Sequence, residues 1–157
     1  MRATLILGSE PRIVVPVARV LARHGIPVNV AAEHPSPALR SRSIRQFVAL
    51  PAPAQDPDGF CRALRAHLET GSYDFVVFTN DTLLNCIHPW HAELNRFAHL
   101  ACPPPEAIRV ALDKALTLAA AARCGIPTPV TYSIPSIAGA GIPGIRFPVI
   151  AKPARKT

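Results

Sequence analysis

Short apolar runs alternate with amphipathic stretches over the first hundred residues of the chain. Four of these runs, at residues 4–7, 28–32, 46–50 and 75–78, have the length and composition of buried strands. Between the first two, apolar residues recur at spacings of three and four, which predicts an amphipathic helix. This alternation predicts an α/β fold with a doubly wound, mostly parallel, Rossmann-like sheet and helices on both faces.

Proline and glycine indicate the bounds of the first helix. Gly25 follows its last turn and is expected to form the C-terminal cap. Pro16 would cost about 3 kcal/mol deep inside a helix, so the helix is expected to begin near Val15, with Pro16 in its first turn. A helix kinked at Pro16 is the alternative. Residues 3–32 then have the size of a parallel βαβ unit.

Three further helices are predicted downstream. One covers residues 60–69, with Asp56 or Asp58 as its cap and Gly71 beyond its end. Another opens directly after the strand at 75–78 and continues to about residue 95.

The third helix is expected at residues 106–124, after three consecutive prolines. Its apolar face would be formed by Ile108, Leu112, Leu116 and Ala119 or Ala120. Repeated proline and glycine in residues 128–145 predict a loop-rich segment. Residues 147–151 predict a last strand that runs into Lys152.

The composition is that of a globular protein, with 49% hydrophobic and 17% charged residues in a chain of 157. No apolar run approaches the roughly 20 residues that a membrane helix needs. The apolar stretch near the N-terminus is too short for a signal peptide. A soluble cytoplasmic protein without a membrane partner is therefore expected.

The formal net charge of +7 comes almost entirely from arginine, since lysine occurs only at positions 114, 152 and 156. The arginines are scattered, and there is neither a lysine-rich tail nor an aromatic stacking motif, so no nucleic-acid partner is expected. Arg40, Arg42 and Arg45 form the densest basic group. They would either meet an anionic substrate or nucleotide phosphate or form a solvated surface.

The spacing of the cysteines and histidines predicts no metal site. The four cysteines, at 61, 86, 102 and 124, contain no CxxC pair and are expected to be reduced thiols that pack as small hydrophobic residues. His88 and His91 could face one side of a helix, but no third ligand is near them.

Polar residues follow three of the predicted strands. Gly8 and Ser9, Glu33, and Asn80 with Asp81 all lie at carboxyl ends, where doubly wound sheets bind their ligands. These five residues are the candidate substrate-binding residues. The alternatives are purely structural, with Ser9 and Asp81 acting as helix caps.

A dinucleotide is not the expected ligand. Glu33 occupies the place of a ribose-binding acid in dinucleotide folds, but only Gly8 remains of the G-x-G-x-x-G turn that approaches a pyrophosphate. NAD and FAD are therefore not predicted.

Four motifs follow one another between residues 104 and 153. They are Pro104-Pro105-Glu106, Leu112-Asp113-Lys114, Gly125-Ile126-Pro127-Thr128-Pro129 and Phe147-Pro148-Val149-Ile150-Ala151-Lys152-Pro153. In this order they resemble the junction between the first domain and the ATP-binding domain of ATP-grasp enzymes. The first hundred residues are similar to the leading Rossmann-like domain of the carbamoyl-phosphate-synthase-like branch.

The resemblance implies a ligase that phosphorylates a carboxylate with ATP and lets an amine or similar nucleophile displace the acyl phosphate. The cofactors would be ATP and Mg²⁺, and the partners small-molecule carboxylates and amines. Lys152 would contact the nucleotide phosphates. Lys114 would either assist it or be a solvated surface lysine. The resemblance also implies a homodimer, since many relatives are dimers.

The same resemblance divides the chain into a pre-ATP-grasp domain at residues 1–103, a linking helix at 104–127 and the start of an ATP-grasp domain at 128–157. Only five residues follow Lys152, without the glycine-rich loop and the magnesium-binding residues of the family. The 157 residues alone are therefore expected to be inactive, to bind ATP weakly, and to leave residues 128–157 loosely ordered or paired with a neighbouring molecule. The alternative is a stand-alone, non-enzymatic α/β binding or interaction module.

Overall fold

Five strands build one parallel sheet within the residues that the structure describes. They are β1 (Ala3–Leu7), β2 (Val28–Ala32), β3 (Gln46–Ala49), β4 (Tyr73–Phe78) and β5 (His99–Leu100), and their order in the sheet is β3-β2-β1-β4-β5. The structure, a computed structural model, describes residues 2–132 and 147–154. The chain divides into two compact units, residues 1–108 and 109–157, and the sheet belongs to the first. The predicted parallel α/β fold is confirmed.

Six α-helices accompany the strands in the described part of the chain. They are α1 (Pro11–Arg23), α2 (Pro57–Thr70), α3 (Asp81–Ile87), α4 (His91–Leu94), α5 (Pro105–Leu112) and α6 (Lys114–Arg123), with short 3₁₀ turns at Pro37–Arg40 and His88–Trp90. Residues 79–95 and 106–124 were each predicted to form one continuous helix, and both predictions are wrong. Pro89 interrupts the first within a 3₁₀ turn, and Asp113 divides the second. No described helix has both the length and the apolar character needed to cross a bilayer.

The two faces of the sheet are covered by different helices. Ile6, Val28 and Val30 pack with Val14 and Ala18 of α1 in one buried cluster. Side chains alternate between faces along a strand, so Asn29 points to the opposite face. There its amide donates to the Tyr73 hydroxyl oxygen over 2.9 Å, and His67 Nε2 of α2 lies 2.8 Å from the same oxygen.

The first helix begins earlier than predicted. It starts at Pro11, is capped by Glu10, and runs through Pro16 without ending there. Beginning at Pro11 places Val14 against the sheet with none of its surface exposed. Full burial of a valine side chain stabilises by about 1.5–3 kcal/mol, which offsets much of the cost of an interior proline.

Two strand assignments differ from the sequence prediction. Strand β5 was not predicted, because its two residues are too short to show a pattern. The predicted strand at residues 147–151 is wrong, since the described stretch 147–154 contains no strand. An isolated strand leaves its backbone donors and acceptors unpaired, and the residues that the structure describes offer it no partner strand. The expected loop at 128–145 and the expected loose order of 128–157 fall largely outside the described residues.

We expect the stability of the first unit, which contains the sheet, to decline in mild acid because His67 becomes protonated. Burial lowers the pKa of this histidine, since the charged imidazolium is disfavoured. Its contribution to the free energy of unfolding is therefore present above the unfolded-state pKa of about 6.5 and is lost as the pH falls through the lower folded-state pKa. Urea unfolding of the wild type and of His67→Gln, which keeps a group that can bond to Tyr73, should show a shallower acid dependence in the variant. Equal pH slopes would contradict this expectation.

Candidate functional site

A pocket opens at the carboxyl ends of β1, β2 and β4. The chain runs from β1 to β2 and β3 on one side of β1 and then to β4 and β5 on the other, so the strand order reverses beside β1. Ligands of doubly wound sheets bind at this reversal. The cavity has a volume of about 170 Å³ and is lined by Gly8, Ser9, Ala31, Ala32, Glu33, Pro53, Phe60, Asn80 and Leu83.

Four of the five candidate substrate-binding residues meet in this pocket. Gly8, Ser9, Glu33 and Asn80 all line it, whereas Asp81 is the first residue of α3 and does not. The apolar walls of the pocket, Phe60 and Leu83 among them, were not predicted from the sequence. An apolar residue that lines a pocket has the same pattern in a sequence as one that fills a core.

The end of β1 is held against both neighbouring strands. Gly8 N donates to Ala31 O of β2 over 2.8 Å, and the Thr79 hydroxyl, just after β4, donates to Leu7 O over 2.8 Å. Gly8 has a φ of +118°, and a Cβ built on it would overlap the Thr79 hydroxyl. The pocket floor therefore requires glycine at this position.

The sequence left two roles open for Ser9, a helix cap or a substrate-binding residue. Ser9 does not cap α1, because the Glu10 carboxylate takes that role by accepting from Arg12 N over 3.3 Å. The Arg12 side chain also bonds to this carboxylate, which lowers the pKa of Glu10. Among the described residues, the Ser9 hydroxyl has no hydrogen-bond partner and so can serve a ligand.

Asn80 caps α3, which corrects the alternative that Asp81 does so. The Asn80 side-chain oxygen accepts from Leu83 N over 3.0 Å. Its NH₂ group therefore stays able to donate into the pocket. Asp81 takes the first helical position behind this cap.

Glu33 supplies the negative group of the pocket. Its carboxylate is 3.2 Å from His34 Nε2, and 43% of its side chain remains exposed. Together with Ser9 and Asn80 it offers one anionic acceptor and two neutral donors. This set suits a small molecule that carries both donor and acceptor groups. The volume is smaller than the roughly 300–1,000 Å³ of pockets for drug-sized ligands.

The other polar groups noted in the sequence lie elsewhere. Arg40, Arg42 and Arg45 are exposed and do not line the pocket. They precede β3, at the amino edge of the sheet, so the structure favours the solvated surface over the anion-binding alternative. His88 Nε2 lies 3.2 Å from Pro105 O. The described residues contain no cluster of three potential metal ligands.

The second unit contains the two lysines expected to meet a nucleotide. Lys114 N donates to Ala154 O over 3.0 Å, and Lys114 Nζ donates to Pro153 O over 2.6 Å. Lys152, one residue before this contact, is exposed. The structure thus holds Lys114 against the residues that directly follow Lys152.

Asp113 explains the break between α5 and α6. Its backbone is extended, with φ −112° and ψ 114°. Its carboxylate accepts from Ala115 N over 3.0 Å and from Leu116 N over 3.1 Å. Asp113 is therefore the cap that starts α6 and sets the position of Lys114.

Replacing Asp113 by alanine should loosen the first turn of α6. Loss of an N-cap costs about 0.5–2 kcal/mol, so the amides of Ala115 and Leu116 should exchange with solvent about 2- to 30-fold faster. Hydrogen exchange followed by NMR measures this directly. Asp113→Asn keeps an accepting oxygen and should stay close to the wild type. Unchanged protection in the alanine variant would show that the cap contributes nothing.

Similar proteins are found when structures are compared, and not when sequences are compared. No protein-family model and no curated protein matches the sequence. An L-amino acid ligase from Bacillus licheniformis matches 99% of this chain with a TM-score of 0.78 and 17% identity. An N5-carboxyaminoimidazole ribonucleotide synthetase in complex with ADP matches 80% with a TM-score of 0.60 and 16% identity. The biotin carboxylase domain of a Hydrogenobacter thermophilus 2-oxoglutarate carboxylase, a dimer with MgADP and bicarbonate, matches 82% with a TM-score of 0.58 and 17% identity.

These three structures belong to ATP-grasp enzymes. The chain has the parallel α/β fold of their N-terminal domain, which confirms the resemblance drawn from the sequence at the level of the fold. It spans 38% of the amino acid ligase, 30% of the ribonucleotide synthetase and 28% of the carboxylase chain.

Proposed function

We propose that this chain is the N-terminal part of an ATP-grasp ligase of the carbamoyl-phosphate-synthase-like branch. The observation that carries the proposal is the match over 99% of the chain to an amino acid ligase, with a TM-score of 0.78. The motifs between residues 104 and 153 support it independently of the fold. The proposed protein is cytoplasmic and forms a homodimer.

The proposed reaction has two steps. A carboxylate oxygen of one substrate attacks the γ-phosphorus of ATP, and ADP leaves with the electrons of the broken P–O bond. The amine of a second substrate then attacks the acyl carbon, and inorganic phosphate leaves. ATP and Mg²⁺ are the proposed cofactors, in line with the ADP and MgADP in two of the matching structures.

The two lysines of the second unit have the chemistry for phosphate contact. Lys152 is exposed, and its ammonium group offsets the charge of a transferring phosphoryl group. We assign Lys114 a second contact to the nucleotide. Its Nζ, which donates to Pro153 O in this structure, would donate to the nucleotide instead. The nucleotide phosphate would replace this carbonyl as the acceptor.

The pocket at the carboxyl edge is the proposed substrate site. Ser9 and Asn80 donate to the substrate, Glu33 accepts from it, and Gly8 lets the backbone approach closely. Asp81 stays a candidate only through its position beside Asn80. Because the pocket-lining residues lie between positions 8 and 83, it forms within the first unit alone. That observation favours a second candidate function, a ligand-binding module that works without ATP.

The deciding experiment uses the protein expressed from its complete reading frame. It is incubated with MgATP and mixtures of amino acids or other small carboxylates and amines, and ADP release is followed by a coupled assay. A ligase releases ADP only when a carboxylate is present, and the 157-residue chain alone releases none. If the complete frame adds no ATP-binding segment, or no carboxylate stimulates ADP release, the ligase proposal is wrong. Calorimetry of small metabolites against the chain would then test the binding module.

A further inference from the structure

Two of the four cysteines touch each other inside the first unit. Cys61 of α2 and Cys86 of α3 have their sulfur atoms 3.6 Å apart, although 25 residues separate them in sequence. Cys61 is fully buried and Cys86 is 8% exposed. Neither thiol is used by the proposed ligase chemistry. Van der Waals contact between two thiols on different helices is the geometry from which a disulfide closes with a small side-chain movement.

We propose that Cys61 and Cys86 are a redox-sensitive pair that peroxide converts to an intramolecular disulfide. The two helices that the bond would join also wall the pocket. Phe60 precedes Cys61 in α2, and Leu83 lies one turn before Cys86 in α3. Oxidation therefore fixes the distance between two walls of the pocket, and reduction releases it.

The surroundings of the two sulfur atoms make them differ in reactivity. The hydrogen bond between the thiols lowers the pKa of Cys86 and raises that of Cys61. Cys86 is also the more exposed of the two. A thiolate, rather than a thiol, is the nucleophile toward an oxidant. Cys86 is thus the sulfur that reacts first, and Cys61 is the resolving partner.

Both steps balance with hydrogen peroxide as the oxidant. The Cys86 thiolate attacks one peroxide oxygen, the O–O bond breaks, and hydroxide leaves, so that Cys86 becomes a sulfenic acid. The Cys61 sulfur then attacks Cys86 Sγ, the S–O bond breaks, and the thiol proton leaves with the hydroxyl group as water. The pair loses two electrons in total, and the peroxide gains them. Hydrogen peroxide is small enough to reach a sulfur with little exposure.

The test removes the two other thiols. Cys102 is half-buried and Cys124 is exposed, and replacing both by serine leaves only the pair. After treatment with stoichiometric peroxide, free thiols are counted under denaturing conditions and the intact mass is measured. We expect both thiols to disappear together, the mass to fall by two hydrogens, and dithiothreitol to restore the original state. The melting temperature should rise by roughly 5–15 °C, since the bond closes a loop of some 25 residues.

A matched variant and the unchanged chain complete the experiment. Cys61→Ser in the same background should give an oxygen-added Cys86, with no hydrogen loss and no rise in melting temperature. Peptide mapping of the peroxide-treated wild-type chain should recover a linked peptide that contains both residues, which requires no substitution to fold. Oxygen addition in place of hydrogen loss in the two-thiol protein, intermolecular dimers, or thiols that react only after unfolding would each overturn the proposal.

Discussion

Gly8→Ala should lower the free energy of unfolding by about 2–6 kcal/mol. Backbone strain at a positive φ contributes about 1–3 kcal/mol for a residue with a side chain, and Gly8 has a φ of +118°. Overpacking contributes about 1–3 kcal/mol more, because the new Cβ would overlap the Thr79 hydroxyl. Either Thr79 gives up its bond to Leu7 O, or the end of β1 moves away from β4. Both adjustments also disturb the pocket floor.

Gly25→Ala is the matched control for this substitution. Gly25 also has a positive φ, +74°, but a Cβ there would meet no atom within 4 Å. Only the left-handed conformation then opposes alanine, at about 1–2 kcal/mol. Urea unfolding of both variants gives the difference. Thr79→Ala combined with Gly8→Ala should recover part of the loss, because it removes the overlapping hydroxyl. Equal losses of unfolding free energy in Gly8→Ala and Gly25→Ala would show that the close approach to Thr79 does not affect stability.

Lys152→Ala should reduce the carboxylate-dependent release of ADP by about 10²–10³-fold in kcat, which is typical of the loss of one preorganised electrostatic contact. The prediction rests on the proposed function and is made for the protein with its complete reading frame. Lys152→Arg keeps the charge but replaces a compact ammonium by a planar group, so it should recover only part of the rate. The measurement is the steady-state rate at saturating ATP.

Arg19→Ala is the control for general effects of charge, since Arg19 is an exposed arginine of α1. Its rate should match that of the wild type. Lys114→Ala should be slower than the wild type and should lose the bond from Nζ to Pro153 O, while the backbone bond from residue 114 N to Ala154 O remains. If Lys152→Ala keeps full activity while ADP release still depends on a carboxylate, the ligase proposal stands and the role assigned to Lys152 is wrong.

Local patterns were sufficient to predict most of the sheet. Strand β2 begins and ends where its apolar run does, and the predicted β1, β3 and β4 differ from the observed strands by at most two residues at either end. Four pocket residues were found in advance because a parallel sheet brings the carboxyl ends of its strands to one edge. That rule needs the strand positions but no knowledge of side-chain packing.

What the sequence missed depends on contacts between distant residues. Periodicity favoured one helix through residue 113, whereas the structure caps a new helix there and bonds Lys114 to residues 153 and 154. The role of Thr79 is visible only beside Leu7, 72 positions earlier. The start of α1 was misjudged because the burial of Val14 outweighs a local rule about proline.

The strand order has a consequence for how the molecule folds as it leaves the ribosome. Strands β1 and β2 and the helix between them lie within the first 32 residues, so their pairing closes a short loop and can form early. The bond from Thr79 to Leu7 spans 72 positions, and its formation carries a larger loop-closure entropy. We therefore expect the nascent chain to pair β1 with β2 first and to add β4 later. The pocket can close only once residue 83 has emerged, and so it forms later than the pairing of β1 with β2.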